Sequence, residues 1–143
     1  MLDITSKATK KITEASYLCM GNSFRYRAII RIAYKKYEKM KYSLYKEEIF
    51  DDIKKINGFD EYTLDDLKQD LDALEAWGNF ITMQDTAKTR TLEEFKNRRF
   101  RYQLSTTTIE LERTLIKIEN IKEAENPIDI SKGCPFKNRC KYS

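Results

Sequence analysis

Histidine is absent from the 143 residues. That removes the side chain that most often exchanges protons near neutral pH, and every zinc site that needs an imidazole. Cysteine occurs only as Cys19, Cys134 and Cys140, without the spacing of a disulfide framework, so a reducing cytoplasm is the expected setting. Four Gly and two Pro leave few breaks in the chain, which favours helices. The glycines, at 21, 58, 78 and 133, are too scattered to cradle a phosphate, and none precedes a lysine. Long apolar runs are missing as well. Met1 to Gly21 is broken by Asp3, Lys7, Lys10, Lys11 and Glu14, so neither a signal peptide nor a membrane anchor is expected there. Net charge is also modest: 27 basic against 23 acidic residues, too even to announce nucleic acid.

What is present fits one domain with one core. Residues 1–21 show no sustained period and are expected to form a loosely ordered or partner-seeking arm, with Tyr17, Leu18 and Met20 as the residues able to pack on the body. Asn22-Ser23 caps a helix to about Met40, with Tyr26, Ile29, Ile30, Ile32, Ala33, Tyr34 and Tyr37. These are too many for a one-sided stripe, so the helix is expected to bury two sides, one in its own core and one against another chain. Residues 41–45 suit a short edge strand, and 46–56 a second helix stopped by Asn57-Gly58. Thr63-Leu-Asp-Asp66 resembles a capping box. Leu64, Leu67, Leu71, Leu74 and Trp77 follow at helical spacing, with Gly78 where a left-handed terminus is wanted. Residues 80–83 read as a strand, 84–88 as a loop, and 91–97 as a short helix opened by a second capping box. Phe100, Tyr102 and Leu104 alternate with polar residues as a returning strand. Ser105 or Thr106 then caps a last helix to about Ala124, whose apolar residues occupy more than one side and suggest the entry to a bundle. The expected fold is mainly α with a small β component: a winged helix–turn–helix over 22–104, a long C-terminal helix over 105–125 and an irregular tail over 126–143.

No constellation in this pattern supports catalysis. Asp51-Asp52 and Asp65-Asp66 are consecutive on helices and do not face a common point. No Ser or Cys has a candidate base. A non-enzymatic protein without metal or cofactor is the expectation. Charge decides how the winged helix is used. Between 60 and 75, seven acids (Asp60, Glu61, Asp65, Asp66, Asp70, Asp72, Glu75) oppose Lys68 alone, and arginine is missing. Such a face repels phosphates and lacks the usual reader of guanine. Positive charge lies instead on 23–41 and on 86–101, where Lys88, Arg90, Lys96, Arg98, Arg99 and Arg101 outnumber Glu93 and Glu94. These cations read three ways: solvated faces, sequence-blind contact with a DNA backbone, or complementarity to a second copy or partner. Tyr26, Tyr34, Tyr37, Tyr42, Tyr45, Tyr62 and Tyr102, with Trp77, fall mostly on apolar faces and suit the core first. Since tyrosine is also enriched at interfaces, their excess around the first helix adds some support for an association surface there.

Several stretches carry a resemblance: Phe24-Arg-Tyr-Arg-Ala-Ile-Ile-Arg31, Tyr62 to Leu74, Trp77-Gly-Asn79, Gln84-Asp-Thr86 and Thr91 to Gln103. Across residues 15–123 the chain resembles the N-terminal region of JetA-type proteins, the kleisin-like subunits of Wadjet plasmid-defence systems, which are similar to the MukF kleisin. The resemblance implies a nucleoid-associated scaffold. The N-terminal winged helix of the MukF kleisin dimerises, and the resemblance implies the same here, with an SMC-type ATPase and accessory kleisin-complex subunits as partners and nuclease activity in a separate toprim-like subunit. Family members are several times longer, which makes a truncated or recombined gene the expectation for a chain that stops at Ser143. The tail from Asn126 to Tyr142 resembles the Cys-containing end of oligopeptide-transporter ATPases, although Cys134 and Cys140 fall short of the four ligands a structural metal site needs.

Two functions follow as rivals. One is a homodimerising docking domain, with Tyr17, Leu18, Phe24, Ile29, Ile32 and Tyr34 at the partner interface, non-specific DNA contact through the basic residues of 86–101, and no membrane. The other is a small dimeric winged-helix transcription regulator that reads DNA sequence.

Overall fold

A computed structural model describes residues 4–84 and 100–125. The chain forms α1 (Ser6–Thr9), a 3-10 helix (Thr13–Cys19), α2 (Ser23–Glu38), β1 (Ser43–Tyr45), α3 (Lys46–Ile53), α4 (Leu64–Ala76), β2 (Phe80–Gln84), β3 (Phe100–Leu104) and α5 (Thr106–Glu125). It is mainly helical, with one small antiparallel sheet in the order β1-β3-β2. The chain divides into two compact units, Met1–Glu110 and Leu111–Ser143.

In the first unit α2 is the central rod. Its Tyr26, Ile29, Ile30, Ala33 and Tyr34 are all buried. Ile49 and Ile53 of α3 and Leu67, Leu71 and Leu74 of α4 are fully buried as well. The sheet supplies Leu44, Phe80, Tyr102 and Leu104. Central β3 holds both neighbours: Leu44 pairs with Tyr102, and Phe80 with Leu104. Tyr26 meets Trp77 edge to face at 5.3 Å, and Phe80 meets Tyr102 in the same way at 6.0 Å, the geometry the aromatic quadrupole favours.

Local chemistry sets the boundaries. Thr63 Oγ1 accepts the Asp66 amide at 3.1 Å while the Asp66 carboxylate accepts the Thr63 amide at 3.0 Å, a closed capping box. The far end of α4 closes at Gly78, whose φ of +86° suits glycine; the amide of Asn79 then returns to the Leu74 carbonyl at 2.8 Å. Helix α3 stops at Ile53, a turn earlier than the sequence period suggests. The Lys54 ammonium donates to the carbonyls of Phe59, Asp60 and Tyr62 at 2.9, 2.7 and 3.0 Å, and so ties down the α3–α4 connection. Similarly, α2 ends at Glu38 and the chain turns through Met40 at a φ of +67°.

The expected loose arm is corrected from Thr13 onward. Residues 13–19 are helical, Tyr17 is wholly buried, and the Glu14 carbonyl accepts from Asn79 Nδ2 at 2.8 Å. One aromatic anchor and one buried amide suffice to dock a segment without periodicity. Phe100 also departs from its expected face: it stands 44% exposed at the end of β3, while Tyr102 and Leu104 are buried. The expected short helix over 91–97 and the tail over 126–143 lie outside the described residues. In α5, Ile118 and Ile121 are 42% and 55% exposed. No helix among the described residues is long and apolar enough to cross a membrane.

Candidate functional site

The acidic helix α4 treats its carboxylates in two ways. Asp70 lies on the inner face, 4% exposed. Arg25 of α2 grips it bidentately, with Nε at 2.9 Å and Nη2 at 3.0 Å, and the Tyr62 hydroxyl donates to it at 2.5 Å. Planar guanidinium and carboxylate match here, which makes this the strong form of an ion pair. Burial works to lower the Arg25 pKa, but the hydrogen bond and charge of Asp70 outweigh it and hold Arg25 above its ordinary value. Burial comes first in pushing Tyr62 well above the usual phenol range, aided by Asp70, so Tyr62 remains a donor at any physiological pH.

The other acids stay at the surface. Asp60, Glu61, Asp65, Asp72 and Glu75 are exposed and Asp66 is half-buried. Hydrogen bonds from the Thr63 backbone and hydroxyl hold Asp66 below the ordinary carboxylate range. Lys68 pairs with Asp72 at 2.6 Å and the Thr82 hydroxyl donates to Glu75 at 2.5 Å. The outward side of α4 therefore remains acidic after Asp70 is withdrawn. The aspartate pairs considered as metal ligands are dispersed in the same way, with Asp52 bridging Lys36 at 3.2 Å and Lys55 at 3.5 Å. Among the described residues no group of three or more His, Cys, Asp or Glu gathers as a metal site.

Beside the Asp70 network a shallow recess of about 220 Å³ is lined by Phe24, Arg25, Phe59, Glu61, Tyr62 and Asp66. Phe24 packs on Phe59 at 5.8 Å, and Phe59 on Tyr62 at 5.2 Å. Phe24 nevertheless keeps 59% of its surface exposed, and Met20 just before the helix keeps 42%.

The structure separates the expected interface residues. Tyr17, Ile29 and Tyr34 are buried in the chain's own core, so as folded they present no surface to a partner. Ile29 and Tyr34 fill the core from the central helix, and Tyr17 is buried on the 3-10 helix before it. Phe24 is exposed, while Leu18 and Ile32 are half-buried. Phe24 and Ile32 line different recesses. Of the expected DNA-contacting residues, Arg101 lies half-buried on β3, paired in register with Tyr45 and Met83. Lys88, Arg90, Lys96, Arg98 and Arg99 lie outside the described residues.

Sequence reasoning missed Asn79 as a clamp. Its side chain is fully buried and joins the Glu14 carbonyl to Thr108 Oγ1, at 2.8 and 3.0 Å. Its place directly after a helix-terminating glycine was the available signal. Lys54 was missed too, and no signal marked it, because its three acceptors are backbone carbonyls.

Neither the curated proteins nor the solved structures hold a match to this chain. Residues 15–129, a span that contains α2 through α5, match a family model described as a protein of unknown function, DUF2397, and the chain belongs to that family.

Proposed function

We propose that this chain is a non-enzymatic scaffold: the N-terminal winged-helix dimerisation and docking domain of a kleisin-like subunit in an SMC-type plasmid-defence complex. The element order α2-β1-α3-α4-β2-β3, with sheet order β1-β3-β2, suits a winged helix in which α4 stands in the recognition position. The observation that carries the functional reading is the acidic outward side of α4, where Asp65, Asp66, Asp72 and Glu75 accompany Lys68 alone. A helix of that charge meets phosphates unfavourably and suits contact with protein. The resemblance to JetA-type kleisins supports the same reading. The exposed pair Met20 and Phe24 is the apolar surface through which two copies would meet.

Sedimentation velocity across a concentration series tests self-association. A dimer at high micromolar concentration is expected, with Phe24→Asp returning it to one copy; a single copy throughout overturns the dimer. A competition titration between random and operator-like duplexes tests the rival regulator. Weak, salt-dependent and sequence-indifferent binding is expected. Discrimination of about 1–3 kcal/mol per mismatched base pair would establish the regulator instead.

A further inference from the structure

A second concave surface lies between α2 and α3, a groove of about 370 Å³. Its floor is apolar, made by Ile32 and Ile56, the latter 38% exposed. Arg31, Lys35 and Lys39 form one lip. Arg31 and Lys35 on α2 and Lys39 just past its end are spaced four residues apart and so rise as a single row, about 6 Å per step; Lys35 also reaches the Glu38 carboxylate at 4.0 Å. On the other side Asp52 is held between Lys36 and Lys55. The groove combines a place for an aliphatic side chain with a cationic rim.

We propose that this groove docks an acidic amphipathic segment of another protein, with one aliphatic side chain on the Ile32–Ile56 floor and flanking carboxylates on the lysine rim. A nucleic-acid duplex fits less well: its phosphates match the lysine rim, but it presents no aliphatic group to Ile32 and Ile56. The α4 of a second copy also fits poorly. Its exposed residues, Asp65, Lys68, Gln69, Asp72, Glu75 and Ala76, supply carboxylates but no large aliphatic side chain. The occupant this lining favours is a helix of mixed acidic and aliphatic character, held by shape below and charge above. The site is separate from Phe24, so it stands or falls independently of dimerisation.

The test uses the full chain and a labelled peptide helix with leucine at i, i+3 and i+7 and glutamate at the flanking positions. Binding is followed by fluorescence anisotropy. Micromolar affinity is expected, weakened at least about tenfold by Lys35→Glu with Lys39→Glu, and equally by Ile56→Ser, at unchanged melting temperature. Replacing the peptide's leucines with alanine, or its glutamates with glutamine, should each cost a similar factor. Two results overturn the proposal. One is no binding at millimolar peptide. The other is loss through the charge variants alone with duplex DNA bound as tightly as the peptide, which would make the groove an anion patch.

Discussion

Helices α2 and α4 are neighbours of opposite charge, and the chain handles their charges differently. On α4 one carboxylate of the acidic set goes inward and is matched by Arg25 and Tyr62, while the others remain in water. On α2 Arg25 turns to that carboxylate, while Arg31, Lys35 and Lys36 line a groove that also holds Ile32 and Ile56. The inward pair fixes how the two helices register. The outward charges stay in water, where solvation keeps them inexpensive. A run of like charge is thus not one feature, because burial divides it.

The comparison is broken most severely by removing Asp70. Asp70→Ala leaves a partly buried guanidinium and a buried phenol unpaired and should cost about 3 kcal/mol in urea unfolding. The cost sits at the low end of the range for a dry pair because the Arg25 side chain keeps 23% exposure. A double-mutant cycle with Arg25→Met should recover part of that loss, and strict additivity would deny the coupling.

Next in size is Lys54→Met, expected to lose about 2 kcal/mol because one charged donor serves three carbonyls. Its check is the thermal midpoint, together with faster proteolysis in the α3–α4 connection.

A smaller effect belongs to Glu48. Its carboxylate accepts the Tyr45 amide at 2.9 Å and the Lys41 ammonium at 2.6 Å. Burial works against the charged form, but these two contacts prevail and depress the pKa below its ordinary 4.5. A depressed acid adds stability above its unfolded-state pKa and loses it as pH falls through the folded one. Stability should therefore decline on acidification below about pH 4.5. Glu48→Gln should cost about 1 kcal/mol at pH 7 and flatten that decline, as measured by denaturation between pH 3 and 7.

The smallest effect sharpens the contrast from the other side. Lys35→Glu with Lys39→Glu should shift stability by less than about 0.5 kcal/mol, since both residues are exposed. A larger loss would mean that the α2 cations serve the fold, as Arg25 does.

Much of this was legible in the sequence. Leu67, Leu71 and Leu74 recur at helical spacing and are buried accordingly, and Thr63 with Asp66 forms the cap that its spacing suggests. Gly78 takes the left-handed conformation for which glycine is suited. Less was legible where partners are distant. Asp70 looks like its acidic neighbours until Arg25, 45 positions away, is placed against it. Tyr17 is one aromatic residue in an aperiodic arm, yet the core closes over it. Tyr34 and Ile29 fit both a core and an interface by sequence, and burial assigns them to the core, because composition counts apolar residues without saying which neighbours cover them.

The sequence by itself determined the cores of α2 to α5, the Thr63 cap and the segregation of charge, because propensity, capping and periodicity act within a few residues of chain. Only tertiary structure decided which acid is neutralised, which lysine becomes a staple and which apolar residues reach solvent. Those outcomes depend on contacts between segments far apart along the chain, and burial is a property of the assembled neighbours.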